Sequence, residues 1–120
     1  MEKRGRKYHR ERLAEALREE IETIVEGELA DPRIGLARVS SVTLALDSRS
    51  ARILLTVEGD EEDSRTTLEG LQAAGGFIRR EVALRLQLRR PPELIFQVDR
   101  WHQAGARVDE LLKRTKKGSG

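Results

Sequence analysis

The chain has 120 residues, 37% of them charged and 38% hydrophobic, with 23 basic against 21 acidic side chains and no cysteine. That length suits one domain with its own core; the missing thiols exclude disulfides and thiolate metal sites, and no apolar run approaches the roughly 18 residues of a membrane span. The formal net charge of +2 hides a segregation, because residues 1–12 and 79–90 are strongly basic whereas EGDEED at 58–63 holds no basic residue, so opposed patches can draw a polyanion to one side of the molecule.

The opening MEKRGRKYHR has no apolar stretch behind it, so no secretory signal is expected and the cytoplasm is the default location. Residues 1–7 read as a basic arm, 8–113 as a single domain and 114–120 as a flexible basic tail. Leu13, Leu17, Ile21, Ile24 and Val25 recur at spacings of three and four, which predicts a helix over about 8–29, ended by Asp31-Pro32. Val42, Leu44 and Leu46 alternate with Thr43 and Ala45, the turn-like DSRS follows, and Ala51, Ile53, Leu55 and Val57 then share one side. This pattern predicts a β-hairpin. Val39 has the wrong parity for the Val42 face, so a bulge or an altered strand start is expected there.

Asp60 is placed to cap a second helix whose first turn carries Glu61, Glu62 and Asp63, as the helix dipole favours. Leu68, Leu71, Ala74, Ile78 and Val82 keep helical spacing straight through Gly75 and Gly76, each of which costs a helix about 1 kcal/mol relative to alanine. Two helices sharing one face across a kink are therefore expected, ended by Pro91 and Pro92. ELIFQVD predicts a third strand with Leu94, Phe96 and Val98 facing one way, and a short helix is expected over 106–113. Three strands with an apolar face, covered by helices, make a two-layer α+β domain.

Catalytic and metal constellations are absent from this pattern. His9 and His102 have no HExxH or comparable spacing, and there is no GxxxxGK[ST] or GxGxxG motif. The acidic run at 58–63 does not match an EF-hand loop. No catalytic residue, metal or cofactor is expected. A nucleic-acid reading is better supported. Arg79, Arg80, Arg85 and Arg89 follow the glycines on one helix, with Arg90 just beyond, and Arg4, Arg6, Lys7 and Arg10 form a second basic group. A helix start whose backbone can be closely approached suits a phosphate. Paired helices with glycine at their junction, on a three-stranded sheet, describe a KH domain, although the usual GXXG loop is missing. With one tryptophan, one tyrosine and two phenylalanines, no obvious aromatic platform for stacking bases is expected.

Taken in order, ADPRIG at 30–35, VEGDEED at 57–63, AGGFIRREVALRLQLRRPPELIFQVD at 74–99 and GARVDELL at 105–112 resemble the bacterial ribosome-binding factor A family over about residues 7–112. The resemblance implies a type II KH-like fold in which an Ala-x-Gly helix kink replaces the GXXG loop. Ala74, Gly75 and Gly76 fit that pattern, with Gly76 at the fixed glycine, so Gly76 is expected to matter more than Gly75. It also implies a non-enzymatic factor that binds the 30S subunit and 16S rRNA, assists late maturation and 5′-end processing and is associated with growth in the cold; a monomer is expected, and the acidic face at 58–63 leaves an assembly GTPase open as a further partner. The alternative is a general RNA-binding module without ribosomal specificity. RWHQA at 100–104 departs from the family pattern at Trp101 and His102.

Overall fold

The computed structural model describes residues 4–35 and 37–99; the expected short helix at 106–113, Trp101 and His102 lie outside them. Helix α1 spans Arg4–Thr23 and passes into a π-helical turn, Ile24–Glu28; strand β1 spans Ala37–Leu44, β2 Ser50–Val57, helix α2 Glu61–Leu86 and β3 Glu93–Val98. Helix α1 thus begins earlier than its apolar stripe suggested, so Arg4, Arg6 and Lys7 form its first turns. It also ends before Asp31-Pro32, because Leu29 is already extended at φ −89° and ψ 131°. The wider π turn has a packing reason: Ile24 and Val25 are neighbours in sequence, and both are buried. Just before it, the Thr23 hydroxyl donates to the Glu19 carbonyl at 2.9 Å, a back-bond of the kind that bends helices.

The sheet has the order β1-β2-β3, with β1 antiparallel and β3 parallel to the central β2. A parallel neighbour requires a long crossover, and α2 provides it. The register of the β1–β2 ladder shifts between Val39 and Ser41, the bulge that the parity of Val39 required; it lets Val39 face Leu55 on the buried side while Val42 still faces Ile53. Glu26 of the π turn reaches the Val39 amide there, at a long 3.5 Å. Strand β1 stops at Leu44, so Leu46 belongs to the hairpin turn and is exposed rather than part of the strand face. In that turn Asp47 accepts from the Arg49 amide at 3.0 Å, and Ser48 has φ 59°.

Both helices lie on one face of the sheet, α1 against β1 and α2 against β3, and touch each other. Between them lies the core: Leu17, Ile21, Ile24, Ile53, Leu55, Leu71, Ile78 and Val82 are essentially inaccessible. The other face carries Arg38, Thr43, Arg52, Ile95 and Gln97, all exposed. Asp60 caps α2 as its position implied, in a reciprocal box: its carboxylate accepts from the Asp63 amide at 2.9 Å, and Asp63 accepts from the Asp60 amide at 3.0 Å. The bond from the Asp63 amide is the main cause that holds the Asp60 carboxyl below its ordinary range.

The expectation of two helices is corrected. Helical hydrogen bonding runs unbroken from Glu61 to Leu86, and neither Gly75 nor Gly76 has a positive φ. The two glycines together cost the helix about 2 kcal/mol in propensity, whereas fully burying Leu71, Ile78 or Val82 contributes about 1.5–3 kcal/mol each, so packing outweighs local preference. The helix ends at Gln87, whose left-handed backbone (φ 55°, ψ 48°) closes the last turn, ahead of the prolines.

Candidate nucleic-acid interface

Charge runs along α2 from acid to base: Glu61, Glu62 and Asp63 open it, and Arg79, Arg80 and Arg85 occupy its second half, with Arg89 and Arg90 in the exposed turn beyond. The signs match the helix dipole at both ends. They also leave the C-terminal half of the helix as the place where an anion is attracted.

The structure separates the arginines that look alike in sequence. Arg85 is committed within the fold: its guanidinium donates two bonds of 2.7 Å to the Glu28 carboxylate and lies 3.5 Å from Glu20 and 3.6 Å from Glu81. This fork ties the end of α2 to the π turn. Hydrogen bonding to Glu28 raises the Arg85 pKa above its ordinary value, and the same bonds hold the Glu28 carboxyl below its ordinary 4.5. Arg79 donates through Nε at 3.2 Å and Nη2 at 2.8 Å to the Pro91 carbonyl, so it secures the connection from α2 to β3. Arg80, Arg89 and Arg90 are exposed and make no ion pair or side-chain hydrogen bond among the described residues. These three leave positive charge exposed at this end of α2.

The glycine centre also differs from its sequence reading. Ala74 packs against the core. A Cβ at Gly75 would meet only the Phe96 ring, at an ordinary 3.9 Å, and a Cβ at Gly76 would meet nothing within 4 Å. Gly76 is therefore not required by strain within the folded chain, and the surface of α2 is open at that position. Within α2, a glycine that the fold does require is Gly70, where a Cβ would come within 2.8 Å of Ile34 Cγ1 and 3.1 Å of Arg33 Cβ. The loop carrying Arg33 and Ile34 crosses α2 at that point, held in shape by a chelated turn in which Asp31 accepts from the Arg33 amide at 2.9 Å and its guanidinium at 2.7–3.2 Å. Helical spacing alone could have flagged Gly70, since it borders the buried Leu71, but not the loop that crosses it.

The second basic group stands apart. Arg6 and Lys7 are exposed and Arg10 is half-buried at the start of α1; at 1.5 Å per residue they lie about 15–21 Å along the helix from Glu20, which touches Arg85. Tyr8 is exposed beside them, with the Arg12 guanidinium 5.6 Å from its ring centroid. Sequence reading missed one further residue on α2. Phe77 is 43% exposed, about 100° around the helix from its neighbour Ile78, and its place off the Leu71, Ile78, Val82 stripe was the available signal.

Comparison with known proteins gives a consistent result. A family model described as ribosome-binding factor A matches residues 9–112. A ribosome-binding factor A of Koribacter versatilis is 57% identical over 117 residues, spanning 98% of this chain and 95% of that protein. The crystal structure of ribosome-binding factor A from Thermus thermophilus superposes with a TM-score of 0.66 at 26% identity, covering 74% of this chain and 93% of its own. A Thermus thermophilus ribosome binding factor A homology model, fitted into the cryo-EM map of a 30S–RbfA complex, gives 0.55 at 31% identity, covering 76% and 91%. The α+β architecture is thus the KH-like one expected from the sequence.

Proposed function

Because the chain belongs to the ribosome-binding factor A family, we propose that it is a non-catalytic assembly factor that binds the 30S ribosomal subunit through 16S rRNA and assists late maturation, including processing of the 5′ end. The observation that carries this reading is the second half of α2, where an open glycine surface at Gly76 adjoins an arginine, Arg80, that is exposed and unpaired among the described residues. A relative of this family has been fitted into a 30S complex, which supports the choice of subunit. The chemistry asked of the protein is modest. Phosphates are neutralised by guanidinium groups on a rigid helix, RNA backbone approaches where no side chain intervenes, and no bond in the RNA is made or broken by the protein.

The test is cosedimentation of the purified chain with 30S, 50S and 70S particles. The proposal predicts pelleting with free 30S subunits and little with the other two. Equal binding to all three, or equal binding to an unrelated duplex RNA, would instead describe a general RNA-binding module.

A further inference from the structure

Ala73, Gly76, Phe77, Arg80 and Leu84 fall on one side of α2 by helical periodicity, and the side chains among them that have any size are exposed: Phe77 43%, Leu84 74%, and Arg80. The opposite side of the same helix holds Leu71, Ile78 and Val82, at 1% exposure or less. Phe77 belongs neither to the core nor to the partly buried hydrophobics that pack against it, and 43% of its surface stays open to solvent. The other phenylalanine, Phe96, is buried.

We infer that Phe77 is a stacking platform for an unpaired RNA base, with Arg80 holding the adjoining phosphate; this rests on the RNA-binding role proposed above and adds a contact to a base. The surroundings specify the occupant. Beside the ring, Gly76 has nothing within 4 Å of its missing Cβ and Ala73 is small, which leaves a flat floor that admits a planar group. One turn along, Arg80 is unpaired among the described residues, while the neighbouring Glu81 is drawn towards Arg85 at 3.6 Å and Arg79 is held by Pro91. An aromatic ring interleaved with a free guanidinium is the combination that holds single-stranded nucleic acid: the ring supplies a π-face that any base can use, and the cation supplies the phosphate contact. A helical protein partner would need consecutive apolar anchors at i, i+3, i+4 and i+7. From Ala73 this strip places alanine, glycine, phenylalanine and arginine at those steps, so Phe77 is the one large apolar side chain among the four.

The experiment measures equilibrium binding of the wild-type chain, Phe77→Leu and Phe77→Trp to purified 30S subunits and, separately, to protein-free 16S rRNA, after thermal melting has shown that the three fold alike. Leucine keeps an apolar side chain and removes the ring, so affinity should fall about 5- to 150-fold on both targets, the loss associated with one base–aromatic stack. Tryptophan should retain or raise it. Wild-type binding with no loss in Phe77→Leu overturns the stack and leaves the assembly role standing. A loss on subunits that vanishes on protein-free RNA overturns it by assigning the strip to a ribosomal protein. Failure of the wild-type chain to bind 30S subunits contradicts the assembly role, and the stack with it.

Discussion

Gly70 and Gly76 sit on the same helix and ask for opposite things. At Gly70 a methyl group would press on Ile34 and Arg33, and overpacking of that kind costs about 1–3 kcal/mol, more than the roughly 1 kcal/mol that alanine returns in helix propensity. At Gly76 only the propensity gain remains. Thermal melting should therefore show Gly70→Ala less stable and Gly76→Ala more stable than the wild type, by about 0.5–1 kcal/mol for the latter. If Gly76 serves an approaching RNA backbone, the stabilised Gly76→Ala protein should nonetheless bind 30S subunits more weakly. Gly75→Ala should stabilise by a similar amount, since its added Cβ would make only an ordinary 3.9 Å contact with Phe96, and should change 30S binding little. A Gly76→Ala protein that is destabilised would contradict the open surface seen at that position.

At the scale of elements, the long α2 depends on its ends. The Arg85 fork joins its last turns to the π turn through Glu28, and the sign of its pH dependence follows from the carboxylate. The folded Glu28 pKa lies below the ordinary 4.5, chiefly because Arg85 donates hydrogen bonds to the ionised form. The contribution is accordingly complete above about pH 4.5 and is lost as pH falls through the folded value. Acid titration of stability should show this loss in the wild type and a smaller one in Arg85→Gln, whereas 30S binding at neutral pH should be unchanged by that substitution. Equal acid sensitivity of the two proteins would remove the fork from the account. The sequence made the strands legible because apolar residues alternate in them, and the Val39 bulge was readable because one residue broke that alternation. The continuity of α2 was not, since glycine propensity is a local signal and the burial that overrides it is tertiary. Nor was the partnership of Arg85, which joins residues 57 apart along the chain.

For the molecule as a whole, one sheet face and both helices enclose a small core, and the surface proposed for RNA is the outer side of the helix that forms half of its cover. Truncating Leu71 to alanine should cost about 2–5 kcal/mol and lower 30S binding only as far as it unfolds the protein. Arginines that were equivalent in the sequence become unequal once folded: Arg85 and Arg79 support the scaffold, and Arg80, Arg89 and Arg90 face outwards. Each phosphate neutralised on single-stranded RNA contributes about −0.7 to the slope of log affinity against log salt, and about −0.9 on a duplex. The most direct test of the account is the salt dependence of 30S binding for the wild type, Arg80→Gln and Arg85→Gln. Wild-type affinity should fall steeply with salt, Arg80→Gln should weaken binding and flatten the slope by about 0.7–0.9, and Arg85→Gln should match the wild type. A flat wild-type profile, or a slope that changes with Arg85 and not with Arg80, would contradict it.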